Sequence, residues 1–328
     1  MEYRQIGKSD LKLSEITFGA WAAGGWMWGG VEHNDSINAI RKAYDLGVTS
    51  IDTAPIYGMG FSEKIVAQAI KDIPRDQVQI LTKFGLRWDK AQGEFYFNSY
   101  DNTGKAVDIY KNSRASSIIK ECEQSLKRLG TDYIDLYQIH WPDATTPVEE
   151  SFEAVETLIK QGKVRYAGVC NYSAEQMKQA DKVVDIVSNQ VPYSMVKRRI
   201  EKELVPCCLD WEKGILAYSP MERGLLTGKF AADHHFPEGD HRGSNPTFSS
   251  ENIKKVNAFL DKIKPIAEAK GVSLAQLVLK WTVMQPGITI ALAGARSPEQ
   301  SVENAKAADI KLSEEEISLI NKVLDRMF

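Results

Sequence analysis

No stretch of this 328-residue chain approaches the ~20 apolar residues that a bilayer crossing needs, so the sequence reads as that of a soluble protein. Charge of neither sign is in excess. The 41 basic and 44 acidic residues leave a net charge of −3, which offers no electrostatic handle to nucleic acid or an anionic membrane, and the expected partner is a small molecule. Cysteine is scarce: Cys122, Cys170, Cys207 and Cys208 lack metal-ligand spacing, and no metal site is expected. Nothing near the N-terminus resembles a signal or transit sequence, so a reducing cytoplasm is the expected compartment. Linkers, repeats and low-complexity tracts are also missing. The whole chain, 1–328, is read as one domain, and barrels are the architecture that most often keeps such a length together. Oligomeric state is not legible at this level.

What is present is an alternation of short β-branched runs with amphipathic stretches. The strand candidates are 14–18, 49–52, 78–83, 136–140, 165–169, 186–190, 215–218 and 289–293; helical patterns lie at 35–46, 62–70, 116–129, 147–161, 174–182, 201–212 and 273–285. Asp35, Ser62, Ser173 and Ser273 stand as candidate N-caps, and Gly47, Gly130, Gly162 and Gly271 as candidate C-caps. Strict alternation argues for parallel strands joined by crossovers, and continuous apolar runs fit strands covered on both faces. Eight strands favour a closed (β/α)8 TIM barrel, although an open doubly wound sheet gives the same alternation. Residues 3–14 read as an N-terminal β-hairpin plugging the barrel bottom, and 298–308 and 313–327 as extra helices. Two long loops leave strand C-terminal ends. One, 87–112, carries Trp88, Phe95, Tyr96, Phe97 and Tyr100; the other includes the polar segment 231–250, whose length and Gly/Pro content make it a candidate to close over a ligand.

Four ionisable groups fall at or just past strand ends on the face where barrels bind substrate: Asp52, Tyr57, Lys83 and His140. A tyrosine with an ordinary pKa of about 10 becomes a useful acid near neutrality when a cation stabilises its phenolate, a part Lys83 can play if a carboxylate such as Asp52 keeps it charged. His140 can donate to a reacting carbonyl oxygen or share a proton with Tyr57. Taken singly, each such residue is more often structural; together they form a proton-donor site that lacks a hydride source. Trp21, Trp26, Trp28, Trp88 and Trp141 all follow strand ends and are candidates for pocket lining. His33, His234 and His235 read as solvated loop residues, and His241, beside Arg242, as one that can face a ligand. Two glycine motifs are discounted. Gly58-Met59-Gly60 lacks the third glycine of a dinucleotide fingerprint, and Gly224 to Phe230 is one residue short of a phosphate-gripping loop and has Phe in place of Ser or Thr.

The ordered motifs IDTAPIYG, TKFG, LKRLGTDYIDLYQIHWPD, GKVRYAGVCNYS, AYSPMERGLLTGK and AGARSPEQSVENAK resemble the aldo-keto reductase superfamily over essentially the whole chain. The sequence looks most like the bacterial branch of inositol-operon reductase-like proteins, whose relatives include potassium-channel beta subunits. The resemblance implies a (β/α)8 barrel and a catalytic tetrad of Asp52, Tyr57, Lys83 and His140, with Tyr57 the acid in reduction and the base in oxidation. It further implies that Asn171 and Gln190 hold a nicotinamide carboxamide and that Tyr218 stacks on the ring. Trp21 and the segment Ser219, Pro220, Met221, Gly224, Leu226 and Lys229 would lie along the cofactor, and Gly294, Arg296, Gln300, Glu303 and Asn304 around its adenosine end. Trp26, Trp28, Trp88 and Trp141 would line the substrate pocket. Some branches of the family have a basic residue where Gln300 stands, so a 2′-phosphate would rest mainly on Arg296; NADPH is expected, with NADH as the alternative. Cys170 replaces a serine common before the carboxamide asparagine. The implied activity is reduction of an aldehyde or ketone, the partner being a small carbonyl or alcohol. A slow-turnover NADP(H)-binding regulatory module is the second reading, and an aldolase-like barrel with Lys83 as Schiff-base lysine the third.

Overall fold

Backbone pairing decides between a closed and an open sheet. In the computed structural model, which describes residues 1–30 and 32–328, the first barrel strand, Ile16–Gly19, pairs on one side with Ser50–Asp52 and on the other with the last, Ile290–Gly294. Ala291 lies opposite Ile16 and Gly294 opposite Gly19, so the sheet closes on itself. The ring continues through Gln79–Phe84, Ile134–Ile139, Val164–Cys170, Ile186–Pro192 and Gly214–Tyr218, parallel throughout. All eight expected strands are there. Their side chains are almost wholly buried because the barrel interior and the surrounding helices cover both faces.

The hairpin before the barrel pairs Tyr3–Gln5 with Lys12–Ser14 and turns at Gly7. Gly7 is required there: its φ is 57°, and a Cβ would sit 2.9 Å from the carbonyl oxygens of Glu212 and Val187. Ile6, Leu11 and Leu13 meet Leu81, Leu136, Val187, Leu216 and Ile290 to form the apolar floor of the barrel.

Helix ends follow the expected chemistry in part. Ser173 and Ser273 each accept from the backbone N–H three residues on, while Gln176 and Gln276 complete reciprocal capping boxes, and Gly130 ends its helix in the left-handed region. Asp35 and Ser62, expected as N-caps, lie inside His33–Asp45 and Phe61–Ile70. Ser62 is buried, and its hydroxyl donates to the carbonyl of Ala20 (2.8 Å), tying that helix to the first barrel loop. Gly60 precedes the helix with φ 90°.

Both long insertions contain regular structure beyond what their composition indicates. Leu86–Arg87, Ala106–Lys111 and Glu94–Tyr100 form a three-stranded antiparallel sheet, its hairpin turned by Asp101, whose carboxylate accepts from the backbone N–H of Thr103 and Lys105. After the polar segment, Ser250–Ala269 is a helix of 20 residues that carries Pro265 inside it. Among the described residues no helix is long and apolar enough to cross a membrane.

Candidate active site

Parallel register brings the strand ends together. Gly19 lies opposite Asp52, Lys83 opposite Gln138, and Cys170 opposite Gln190, so side chains from sequence-distant strands converge at the C-terminal mouth. Asp52 is buried with both carboxylate oxygens occupied. Oδ1 accepts from Lys83 Nζ at 2.6 Å, and Oδ2 from the amides of Gln190 at 2.8 Å and Gln138 at 3.4 Å. Lys83, which is fully buried, also donates to the carbonyl of Thr53 at 2.9 Å, and its Nζ lies 5.1 Å from the centre of the Tyr57 ring. The His140 imidazole meets Tyr57 edge to face with ring centres 5.7 Å apart, and Trp21 stacks on the other side at 6.1 Å. The four residues singled out from the sequence thus occupy one place.

Electrostatics assigns their protons. Burial works against the charge on Lys83, but the charge and hydrogen bond of Asp52, together with Tyr57 and Cys170, outweigh it, and the ammonium titrates above its ordinary range. Such an amine is poorly suited to attack a carbonyl, which weighs against the Schiff-base reading. Burial, and next the Lys83 cation, hold His140 well below its ordinary value, so the imidazole is neutral at pH 7. Tyr57 departs from the expectation that Lys83 draws the phenol toward neutrality: burial outweighs that attraction and pushes it up to about 12. Tyr57 therefore keeps its proton at neutral pH. Cys170 is fully enclosed, and burial raises its thiol, which makes it a poor target for oxidation.

These groups open onto a cavity of about 810 Å³ with two unlike ends. Around Tyr57 the lining is aromatic and aliphatic: Trp26, Ile56, Leu86, Tyr96, Phe97 and Trp141, which pack with Tyr57 in one cluster. Elsewhere the lining sets the cations Arg223, Lys229, Arg242 and Arg296 among apolar side chains such as Met221, Phe230 and Phe236. Asn171 adopts φ 60°, and its side chain donates to the His140 carbonyl (3.0 Å) and accepts from the Tyr218 hydroxyl (2.9 Å). Ser219, Glu222 and Arg223 also sit at positive φ. Left-handed backbone costs a non-glycine residue about 1–2 kcal/mol, so its concentration here marks a segment shaped by the cavity and not by local preference.

Most of the remaining candidates line this cavity: Trp21, Trp28, Gln190, Ser219, Pro220, Met221, Gly224, Gly294, Gln300, Glu303 and Asn304. Several have structural partners as well. The backbone N–H of Arg296 donates to Gln300 Oε1, the Glu303 carboxylate takes Ser273 Oγ and lies 3.6 Å from Lys229 Nζ, and Asn304 donates to the Gly294 carbonyl. One candidate falls outside the lining, and another can act only through its backbone. Trp88 does not line the cavity; it packs from behind against the cluster of Trp26, Ile56 and Leu86. The Leu226 side chain is fully buried in the main core, which leaves its backbone, the part expected along the cofactor, to approach a ligand.

Sequence reasoning passed over Arg223, Asp240 and Phe236. Arg223 lies within a segment already marked, and Asp240 and Phe236 within the loop 231–250 marked as a candidate to close over a ligand, with no local signal to single them out. That loop reaches across to the first barrel loop: the His241 N–H donates to the Met27 carbonyl, Asp240 bridges to Trp28, and Arg242 grips Asp240 while lying over the Trp28 ring. His234, read as solvated, also lines the cavity.

The donor set fits a phosphate-bearing dinucleotide. Among the described residues neither Arg223 nor Arg296 makes an ion pair, although both line the cavity, and burial lowers the pKa of each. The helix Pro298–Lys306 begins beside Arg296, adding the positive end of a helix dipole. At the other end, Gln190 Oε1 makes no hydrogen bond among the described residues, which leaves an acceptor for an amide.

A barrel with this mouth defines a class of oxidoreductase, and residues 15–325 match the aldo/keto reductase family: the chain belongs to it and is a nicotinamide-dependent aldo-keto reductase. It is 38% identical over 327 residues to aldo-keto reductase YhdN of Bacillus subtilis, an alignment covering 99% of this chain and 94% of that one. It is 35% identical to the NADH-specific methylglyoxal reductase of Escherichia coli, covering 98% of both. The glycerol dehydrogenase AKR11B4 from Gluconobacter oxydans has a similar structure, with TM-score 0.88 and 37% identity, covering 99% of this chain and 95% of that one.

Proposed function

We propose that this protein reduces an aldehyde or ketone to the alcohol with NADPH, reversibly, with Tyr57 as the general acid. The observation that carries the reading is a phenol kept protonated by burial beside a neutral imidazole and a buried Asp52–Lys83 pair, facing a cavity whose far part is cationic. A bound nicotinamide dinucleotide supplies the hydride. Tyr57 gives its proton to the carbonyl oxygen as the carbon is reduced, and the Lys83 cation lowers the energy of the phenolate left behind. Neutral His140 directs the oxygen by donating to it. Asp52 keeps Lys83 charged and in place. Asn171 and Gln190 supply the amide contacts for the carboxamide, and Tyr218, fixed by its bond to Asn171, supplies a flat wall beside the ring. Near-attack positioning of this kind removes much of the entropic barrier.

The preference for NADPH rests on Arg296 and Arg223, cations without a carboxylate partner. One relative is named NADH-specific, so the preference is measured directly. Fluorescence titration with NADPH and NADH, followed in the same cuvette by a panel of carbonyls, tests the proposal. Tighter NADPH binding with turnover supports it. Loss of one charge-assisted contact in Arg296→Ala is expected to weaken NADPH by roughly 10- to 100-fold and NADH far less. Binding without turnover of any carbonyl shifts the assignment to a regulatory module. The balanced charge and small-molecule cavity fit action in the cytoplasm.

A further inference from the structure

Around Tyr57 and His140 the cavity wall offers a substrate almost nothing polar beyond the reacting groups. Leu86, Tyr96 and Phe97 reach it from the inserted antiparallel sheet, and Trp26, Ile56 and Trp141 complete it. The indole N–H of Trp26 points away from any ligand: it donates to Ser99 Oγ at 3.1 Å and to the Tyr100 carbonyl at 3.0 Å, clamping the sheet onto the first barrel loop. Both oxygens of Asp52 are occupied, and the Asn171 amide is held between the His140 carbonyl and the Tyr218 hydroxyl. Apart from Tyr57 and His140, the unpaired polar groups here, among the described residues, are the Tyr96 hydroxyl and the indole N–H groups of Trp141 and Trp21, and of these only the Tyr96 oxygen can accept. Aromatic walls also stack on sugars, but the hydroxyls at a sugar's ring edge need acceptors for their protons, and here the Tyr96 oxygen is the one side-chain acceptor beside the reacting groups.

Resting on the reductase reading, we propose that the substrate is an apolar or ring-bearing aldehyde or ketone carrying at most one further hydroxyl, and that the inserted sheet is what rejects polyhydroxylated carbonyls. A hydroxyl buried without a partner weakens binding by roughly tenfold or more. Glyceraldehyde brings two hydroxyls to one acceptor, and an open-chain sugar brings more.

The test compares kcat/KM for 3-phenylpropanal and D-glyceraldehyde with the cofactor-loaded enzyme. A ratio of about 10 or more in favour of the phenyl substrate is expected, as one unpartnered hydroxyl implies. Two variants move the ratio in opposite directions: Phe97→Ser, which adds a hydroxyl to the wall, narrows it, and Tyr96→Phe, which removes the free one, widens it. A ratio near one, or a ratio that neither variant shifts, overturns the proposal. If no carbonyl is consumed, the reductase reading itself fails. The specificity of the wall is then read by tryptophan-fluorescence titration of the same three proteins with 3-phenylpropan-1-ol and glycerol, where equal affinity overturns the inference and a preference that follows the variants supports it.

Discussion

Replacing Lys83 by methionine removes a charge while nearly keeping the shape, and the structure sets the size of the effect. Lys83 and Asp52 are 2.6 Å apart, with side chains only 1% and 4% exposed. Without Lys83, the Asp52 carboxylate retains only the Gln190 and Gln138 amides, and the Thr53 carbonyl loses its donor. Breaking one side of a buried pair costs about 3–5 kcal/mol, and the lost hydrogen bond adds about 1 kcal/mol. Removing the second charge as well, in Asp52→Asn/Lys83→Met, takes away the stranded carboxylate and should recover most of that loss, so the two sites should couple by roughly 3 kcal/mol. Urea unfolding at pH 7, compared at constant m-value, measures it. Activity should not follow stability. At an effective dielectric of about 20 and about 5 Å, a cation changes the phenolate by about 3 kcal/mol, some two pKa units, and that help is missing from both variants. A single mutant within about 1 kcal/mol of wild type, or a double mutant no more stable than the single, refutes the picture of a tightly coupled buried pair.

Tyr57→Phe should lower kcat by about 10²–10⁴-fold with cofactor affinity nearly intact, since it removes the acid alone; single-turnover rates and fluorescence titration check both parts. With the phenol raised to about 12 and His140 depressed, kcat/KM for reduction should show no ionisation of either group between about pH 7 and 10, while the rate of alcohol oxidation by an enzyme limited by chemistry should climb with alkaline pH as phenolate forms. Glu121 supports the site from behind by accepting from the Gly85 N–H, and burial raises its carboxyl from 4.5 to about 7. Because the folded state binds the extra proton, that group contributes stability below pH 4.5 that is lost as pH rises through about 7. Glu121→Gln should flatten this part of the stability profile in urea titrations, which change by up to about 1.4 kcal/mol per pH unit for each differential proton. Gly58→Ala should destabilise the turn after Tyr57 by about 1–2 kcal/mol, because φ is 66° and a Cβ would lie 2.9 Å from the Gly24 carbonyl; thermal unfolding reads the loss.

The chain alone determined the barrel strands, because apolar runs flanked by capped amphipathic segments depend on local periodicity and chain length. It also placed a proton-donor site, because Asp52, Tyr57, Lys83 and His140 stand at or just past strand ends, which share one face whatever the tilt of the barrel; the class came through the ordered motifs from IDTAPIYG to AGARSPEQSVENAK. What failed locally failed for tertiary reasons. Ser62 reads as a cap by composition but is drawn into the helix by a buried bond to Ala20. The aromatic sheet after Lys83 has an Asp101-centred turn yet no strict alternation, and its strands gain their meaning from the Trp26 clamp. Closure of the sheet depends on pairing between residues 16–19 and 291–294, a separation that no local pattern reports. The protonation of Tyr57 likewise belongs to the fold. Sequence places a cation near the phenol, but only packing says how much water is excluded, and here that exclusion outweighs the cation.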